Sequence, residues 1–204
     1  MPSVARASDI APGRPKGVLA ALLCVAALLF ASTDRAEEVS VPVAIQAELL
    51  VKVAAYDRNL PARVGDRVLV LIVTKSGDAD SARVASGMAT ELGSKALIAG
   101  LAHEESVAPF TDAASVAATC KGRHVGIAYF TPGFSDDEIV SIARALDGAD
   151  VLTAAALPAF VPKGIVLGFD LVSGKPKLLV HLGQARRQHA DLAADVLKLM
   201  RVYE

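Results

Sequence analysis

Few residues in this chain of 204 could do chemistry, and their spacing suits none of the usual kinds. His103-Glu104-Glu105 starts like a zinc-protease helix, where two histidines one turn apart hold the metal and the glutamate acts as base. The second histidine is missing, because position 107 is Val107. His103, His124, His181 and His189 share no spacing that would gather them around one ion. No G-x-S-x-G sequence occurs, so a serine nucleophile would lack its strained strand-to-helix elbow. A Ser/His/Asp set assembled only in space stays open. Asp78, Asp80, Asp136 and Asp137 lack the loop pattern and distal glutamate of a calcium site; as acids at helix starts they need no metal. The expectation is no catalytic residue, no metal and no cofactor.

Two stretches are better suited to binding. Thr74-Lys75-Ser76-Gly77 lies at a strand-to-helix turn, where open α/β sheets bind ligands. It lacks the glycines of a phosphate loop or a dinucleotide fingerprint. Together with Thr131-Pro132-Gly133-Phe134 it gives a small-ligand alternative resting on Lys75, Ser76 and Phe134. The second stretch is Leu157-Pro158-Ala159-Phe160-Val161-Pro162. Its prolines deny it ladder hydrogen bonds while it carries Leu, Phe and Val. Leu157, Phe160 and Val161 are therefore candidates for a stiff docking loop, against the equal alternative that they tuck into the core. Arg186-Arg187 reads as a solvated basic face, and Cys120 as a buried small apolar residue.

The elements that would position these residues follow from periodicity. Ile45, Leu49 and Val53 make a helical stripe over 40–56, with Ser40 as N-cap. Arg67 to Thr74 reads as a strand buried on both faces. A helix opening at Asp78 carries Val84, Met88 and Leu92, and a weaker strand is expected over Ala96–Leu101, resuming near Val107. A short helix over Asp112–Lys121 and a strand over Val125–Phe130 follow. Ser135-Asp136-Asp137-Glu138 is a capping box for the next helix, and Val151–Ala155 is a fourth strand. This alternation predicts a three-layer α/β/α sandwich with a mostly parallel sheet. Ile165–Val172 and Lys177–Leu182 then form a C-terminal antiparallel hairpin. A closing helix places Leu192, Val196, Leu199 and Met200 on one side.

Ahead of all this, Arg6, Arg14 and Lys16 precede an apolar run of 16 residues, Gly17–Ser32, and then small and polar residues. That is the layout of a cleaved secretory signal peptide, and the run is shorter than the ~20 residues that span a bilayer. The expected division is a signal peptide over 1–33 and a single domain over 34–204. A cut after Thr33 removes three cations and one anion, moving the net charge from −1 to −3. An acidic domain has no electrostatic footprint for nucleic acid, and with no Trp and 4% aromatics it has little stacking surface. Cys120 alone remains, so no internal disulfide can form.

Beyond composition, several short motifs resemble a known family. They are Asp150-Val151-Leu152-Thr153, Leu157-Pro158-Ala159-Phe160, Gly164-Ile165-Val166-Leu167, Lys177 to Leu182 and Ala194 to Val202, with Lys52-Val53-Ala54-Ala55-Tyr56 in the first helix. In order and content they resemble the YfiR-like family of exported bacterial regulators. The resemblance implies a periplasmic α/β/α protein without catalytic activity. Such a protein binds the periplasmic part of a membrane signalling protein, such as a diguanylate cyclase or sensor kinase. An outer-membrane lipoprotein is the second implied partner, and a homodimer stays open. Lys163 stands where the family often has the first of two glycines, and the lone Cys120 gives no basis for redox-dependent regulation.

Overall fold

The central strands are legible as apolar runs, and the alternation of strands with helices decides the layers. The structure, a computed structural model, describes residues 39–204; the signal-peptide reading of 1–33 lies outside them. Strands β1 (Arg67–Thr74), β2 (Ala102–Pro109), β3 (Val125–Phe130), β4 (Leu152–Ala155), β5 (Leu167–Val172), β6 (Lys175–His181) and β7 (Arg201–Tyr203) form one sheet in the order β2-β1-β3-β4-β5-β6-β7. The first five are parallel, β6 runs antiparallel to β5, and β7 is parallel to β6. This is the expected α/β architecture with its C-terminal antiparallel hairpin.

Successive residues of β1 point to opposite faces. Val68, Val70 and Ile72 pack with helices α1 (Val43–Ala54) and α3 (Ala79–Gly93). Leu71 and Val73 pack with α4 (Ala113–Gly122) and α5 (Asp136–Ala145). A short helix, α2 (Leu60–Val64), links α1 to β1. The α5 capping box is present, with Ser135 Oγ accepting from the Glu138 amide at 3.3 Å and the Glu138 carboxylate accepting from the Ser135 amide at 2.9 Å. Ser135→Ala should therefore lower stability by about 1 kcal/mol in chemical denaturation. An unchanged midpoint would show that the box carries no weight.

Four expectations need correction. Helix α1 starts at Val43, with Pro42 rather than Ser40 at its N-cap, and its buried face is turned: Gln46, Ala47, Leu50 and Val53 are inside. Gln46 can be buried because its amide is bonded at both ends, accepting from the Tyr129 hydroxyl at 2.7 Å and donating to Val41 O at 2.9 Å. Burial pushes the Tyr129 hydroxyl strongly upward, so it remains a donor. The stretch Ala96–Leu101 is not the second strand. Ile98 and Leu101 exchange backbone hydrogen bonds of 3.0 and 2.9 Å around a tight turn, and β2 begins after it. The hairpin turn is only Ser173-Gly174, both at positive φ, the backbone a two-residue turn between twisted strands requires. Strand β6 accordingly starts at Lys175.

The closing helix also shrinks to one turn, α7 (Ala194–Leu197), followed by β7, while α6 (Leu182–Arg187) appears ahead of it. The cause is long-range. Arg58 N–H donates to Asp191 O and Ala193 N–H to Tyr56 O, both at 2.9 Å, and hold the chain extended where the periodicity suggested a helix.

Candidate functional site

The chain leaves β1 toward β2 and leaves β3 toward β4, in opposite directions across the sheet. The crevice outside the carboxyl ends of β1 and β3 is therefore the switch point where this architecture places ligands. Lys75 and Phe134 meet there. The Lys75 ammonium pairs with Glu138 and lies 5.6 Å from the Phe110 ring centroid and 5.9 Å from that of Phe134. Phe134 in turn packs edge-on against Phe110, Phe130 and Phe160. Partial burial works to raise the Glu138 carboxyl, but Lys75 and the Ser135 groups outweigh it and hold it below the usual carboxylate range. Beneath Lys75, its amide donates to Ser81 Oγ at 2.7 Å, and the Ser81 and Thr131 hydroxyls lie 2.6 Å apart. The crevice is thus filled by its own ion pair and rings. Ser76 stands outside, exposed on the turn.

The second candidate set is corrected by its burial. Leu157, Phe160 and Val161 are inside, with Phe160 2% exposed. Pro158 to Lys163 form a 3₁₀ turn ending in left-handed Gly164. Proline at the first position of that turn needs no N–H partner, and the turn folds the segment back onto the sheet. Phe160 and Leu157 join the core with Phe130, Ile139 and Ile165. A docking surface made of these side chains is therefore not available.

Open space lies instead at the amino-terminal end of the sheet. A cleft of about 510 Å³ is bordered by Arg63, Cys120, Lys121, His124, Asp147 and Asp150 among others. Burial pushes the Cys120 thiol up to about 12, so it stays protonated and is a poor nucleophile at neutral pH. Asp150 bonds His189 Nδ1 at 2.8 Å. Behind this cleft, Arg63 and Asp57 form a buried ion pair of 2.6 Å. Sequence reading missed this cleft. Its residues come from three separated segments, around 63, 117–124 and 145–151, and no spacing along the chain announces them. Among the described residues, no group of three or more His, Cys, Asp or Glu could hold a metal ion.

Across residues 43–201, from the first residue of α1 to the first of β7, the sequence matches the YfiR/HmsC-like family profile. The chain belongs to that family. No curated protein matches it significantly. Among solved structures, this YfiR/HmsC-like chain is similar to a conserved domain protein from Vibrio cholerae O1 biovar El Tor, with a TM-score of 0.54 at 13% identity. That match covers 80% of this chain and 60% of the other. It is also similar to the ABC domain in complex with L-Trp from Streptococcus pneumoniae, with TM-score 0.54, 13% identity, and 77% and 62% covered. The chain spans about three fifths of the length of each. At this identity the likeness is one of fold. It places the YfiR/HmsC-like sandwich among larger α/β proteins without carrying their ligands over.

Proposed function

We propose that the chain is an exported, non-catalytic regulator that binds the periplasmic part of a membrane signalling protein, such as a diguanylate cyclase or sensor kinase. The observation that carries this reading is the family match over essentially every described element. An outer-membrane lipoprotein is the second partner in this scheme, releasing the first. With Leu157, Phe160 and Val161 inside the core, contact falls to the apolar side chains left outside.

Four of the eight large ones among the described residues collect at the far margin of the sheet, while Tyr56, Leu97, Val107 and Val140 lie elsewhere. Leu171 and Val172 end β5 at the hairpin, Val202 lies on edge strand β7, and Leu199, 65% exposed, precedes it. Lys177 Nζ donates to Leu199 O at 2.7 Å, so the hairpin and the closing segment are neighbours. Exposed apolar residues grouped in this way are the usual material of a protein interface. The double variant Leu171→Ser/Val172→Ser should keep its melting temperature, since surface changes shift stability by about 0.5 kcal/mol. It should also lose capture of the periplasmic domain of a membrane cyclase or kinase encoded by the same organism. If the unaltered protein captures no such domain, the regulatory reading fails. If the double variant captures as well as the unaltered protein, this margin is not the surface.

A further inference from the structure

A cleft of about 300 Å³ opens where the end of α5, the 3₁₀ turn and α6 meet. Three cations border it: Arg144 from α5, Lys163 from the 3₁₀ turn and Arg187 from α6. Lys163 pairs with Asp136, and Arg187 Nε donates to Asp147 at 3.0 Å. Arg144 has no carboxylate partner among the described residues. The one carboxylate on the cleft wall, Asp147, is further engaged by the Gln184 amide at 3.1 Å. One wall is bare backbone: a Cβ at Gly164, which has φ of +107°, would stand 2.6 Å from the Ala143 Cβ. Only glycine lets the turn close against α5 there.

His181 completes the wall and is about nine-tenths buried. Its Nδ1 accepts from the Gln184 amide at 3.2 Å, which leaves the ring proton on Nε2. That N–H has no protein partner among the described residues. Desolvation and then the Arg187 charge hold His181 below its usual value, with Glu204 acting the other way. The ring is thus a neutral donor at pH 7, and protonating Nδ1 would break its bond to Gln184.

We propose that this cleft binds a small organic phosphate, its oxyanion held by Arg144, Lys163, Arg187 and the His181 Nε2–H, and its short carbon skeleton resting on Val140 and Pro162. The three cations face two engaged carboxylates, Asp147 on the wall and Asp136 on Lys163, so Arg144 leaves the cleft a net positive charge suited to an oxyanion, and Arg donors match phosphate geometry. A cleft with a recessed histidine suits a soluble phosphate ester rather than a headgroup fixed in a membrane. The inference goes beyond the regulatory reading and does not depend on it.

The test follows the His181 Nε2 resonance by NMR while glycerol 3-phosphate, inorganic phosphate or phosphatidic-acid vesicles are added. Glycerol 3-phosphate should give a saturable shift, inorganic phosphate a weaker one at the same resonance, and the vesicles none. R144Q/K163Q should weaken glycerol 3-phosphate binding at least about tenfold, because two charge-assisted bonds are lost, and should leave the melting temperature unaltered. Three results would overturn the proposal. One is no His181 response to glycerol 3-phosphate up to about 10 mM, where even a millimolar site would show. Another is equal binding by the double variant. The last is a response to vesicles alone, which would assign the cleft to a membrane surface.

Discussion

Asp57→Ala is expected to destabilise the protein by about 3–5 kcal/mol, the range for breaking a buried ion pair from one side. The Asp57 side chain is fully buried and that of Arg63 is 5% exposed, with 2.6 Å between Nη2 and Oδ2. Asp57 Oδ1 also accepts from the amides of Asn59 at 3.1 Å and Asp191 at 3.0 Å. Arg63 Nη1 donates to His189 O at 2.9 Å, while its Nε is buried with no partner. One carboxylate thus joins the α1–α2 turn to the segment just before α7. Removing it leaves a guanidinium in the interior with no counter-charge and strands two amides, each of which adds its own desolvation penalty. The measurement is urea denaturation of Asp57→Ala, Arg63→Met and the double variant. The double variant should lose clearly less than the sum of the two single changes, because it leaves no unpaired charge. A loss below about 1 kcal/mol for Asp57→Ala would mean that water reaches the site and the pair carries little.

What was legible in the sequence is what local chemistry determines. Ser135 and Glu138 form a box within one helical turn, and β1 and β3 are continuous apolar runs, so their positions follow without knowledge of the rest of the fold. The misread parts depend on distant partners. Gln46 reads as a surface residue until Tyr129, 83 positions away, supplies the hydroxyl that lets it be buried. Residues 191–193 read as helix until Tyr56 and Arg58 claim their backbone groups. The β2 strand escapes the pattern because an edge strand with one covered side needs no apolar run: half of its eight residues are His103, Glu104, Glu105 and Ser106. Candidate sites suffered more than elements did. Lys75 and Phe134 do meet, as their loops at neighbouring strand ends suggested, but as partners of each other and of Glu138. The clefts gather polar residues from several elements, and nothing in a linear pattern encodes that convergence.

Phe160 is where this matters most for function, since a proline-flanked apolar segment can be a docking loop or a wedge in the core. Phe160 lies 6.5 Å, centroid to centroid, from Phe134 in an edge-to-face contact, and it shares a buried cluster with Leu157, Ile139, Ile142 and Ile165. Its backbone is fixed as well, because Ile165 N–H donates to Phe160 O at 3.2 Å and Gly164 N–H to Val161 O at 3.0 Å. These two bonds close the turn, and the ring's packing in the cluster holds it against the sheet. Phe160→Ser removes the ring, leaves a cavity against Phe134 and buries a hydroxyl, so it should lose about 3 kcal/mol or more. Phe160→Leu keeps most of the volume and should lose much less. Partner capture should follow folding in this pair: impaired in the serine variant only as far as it is unfolded, and intact in the leucine variant. A serine variant that melts like the unaltered protein yet fails to capture its partner would return this turn to the docking surface, and would require a second arrangement in which Phe160 faces solvent.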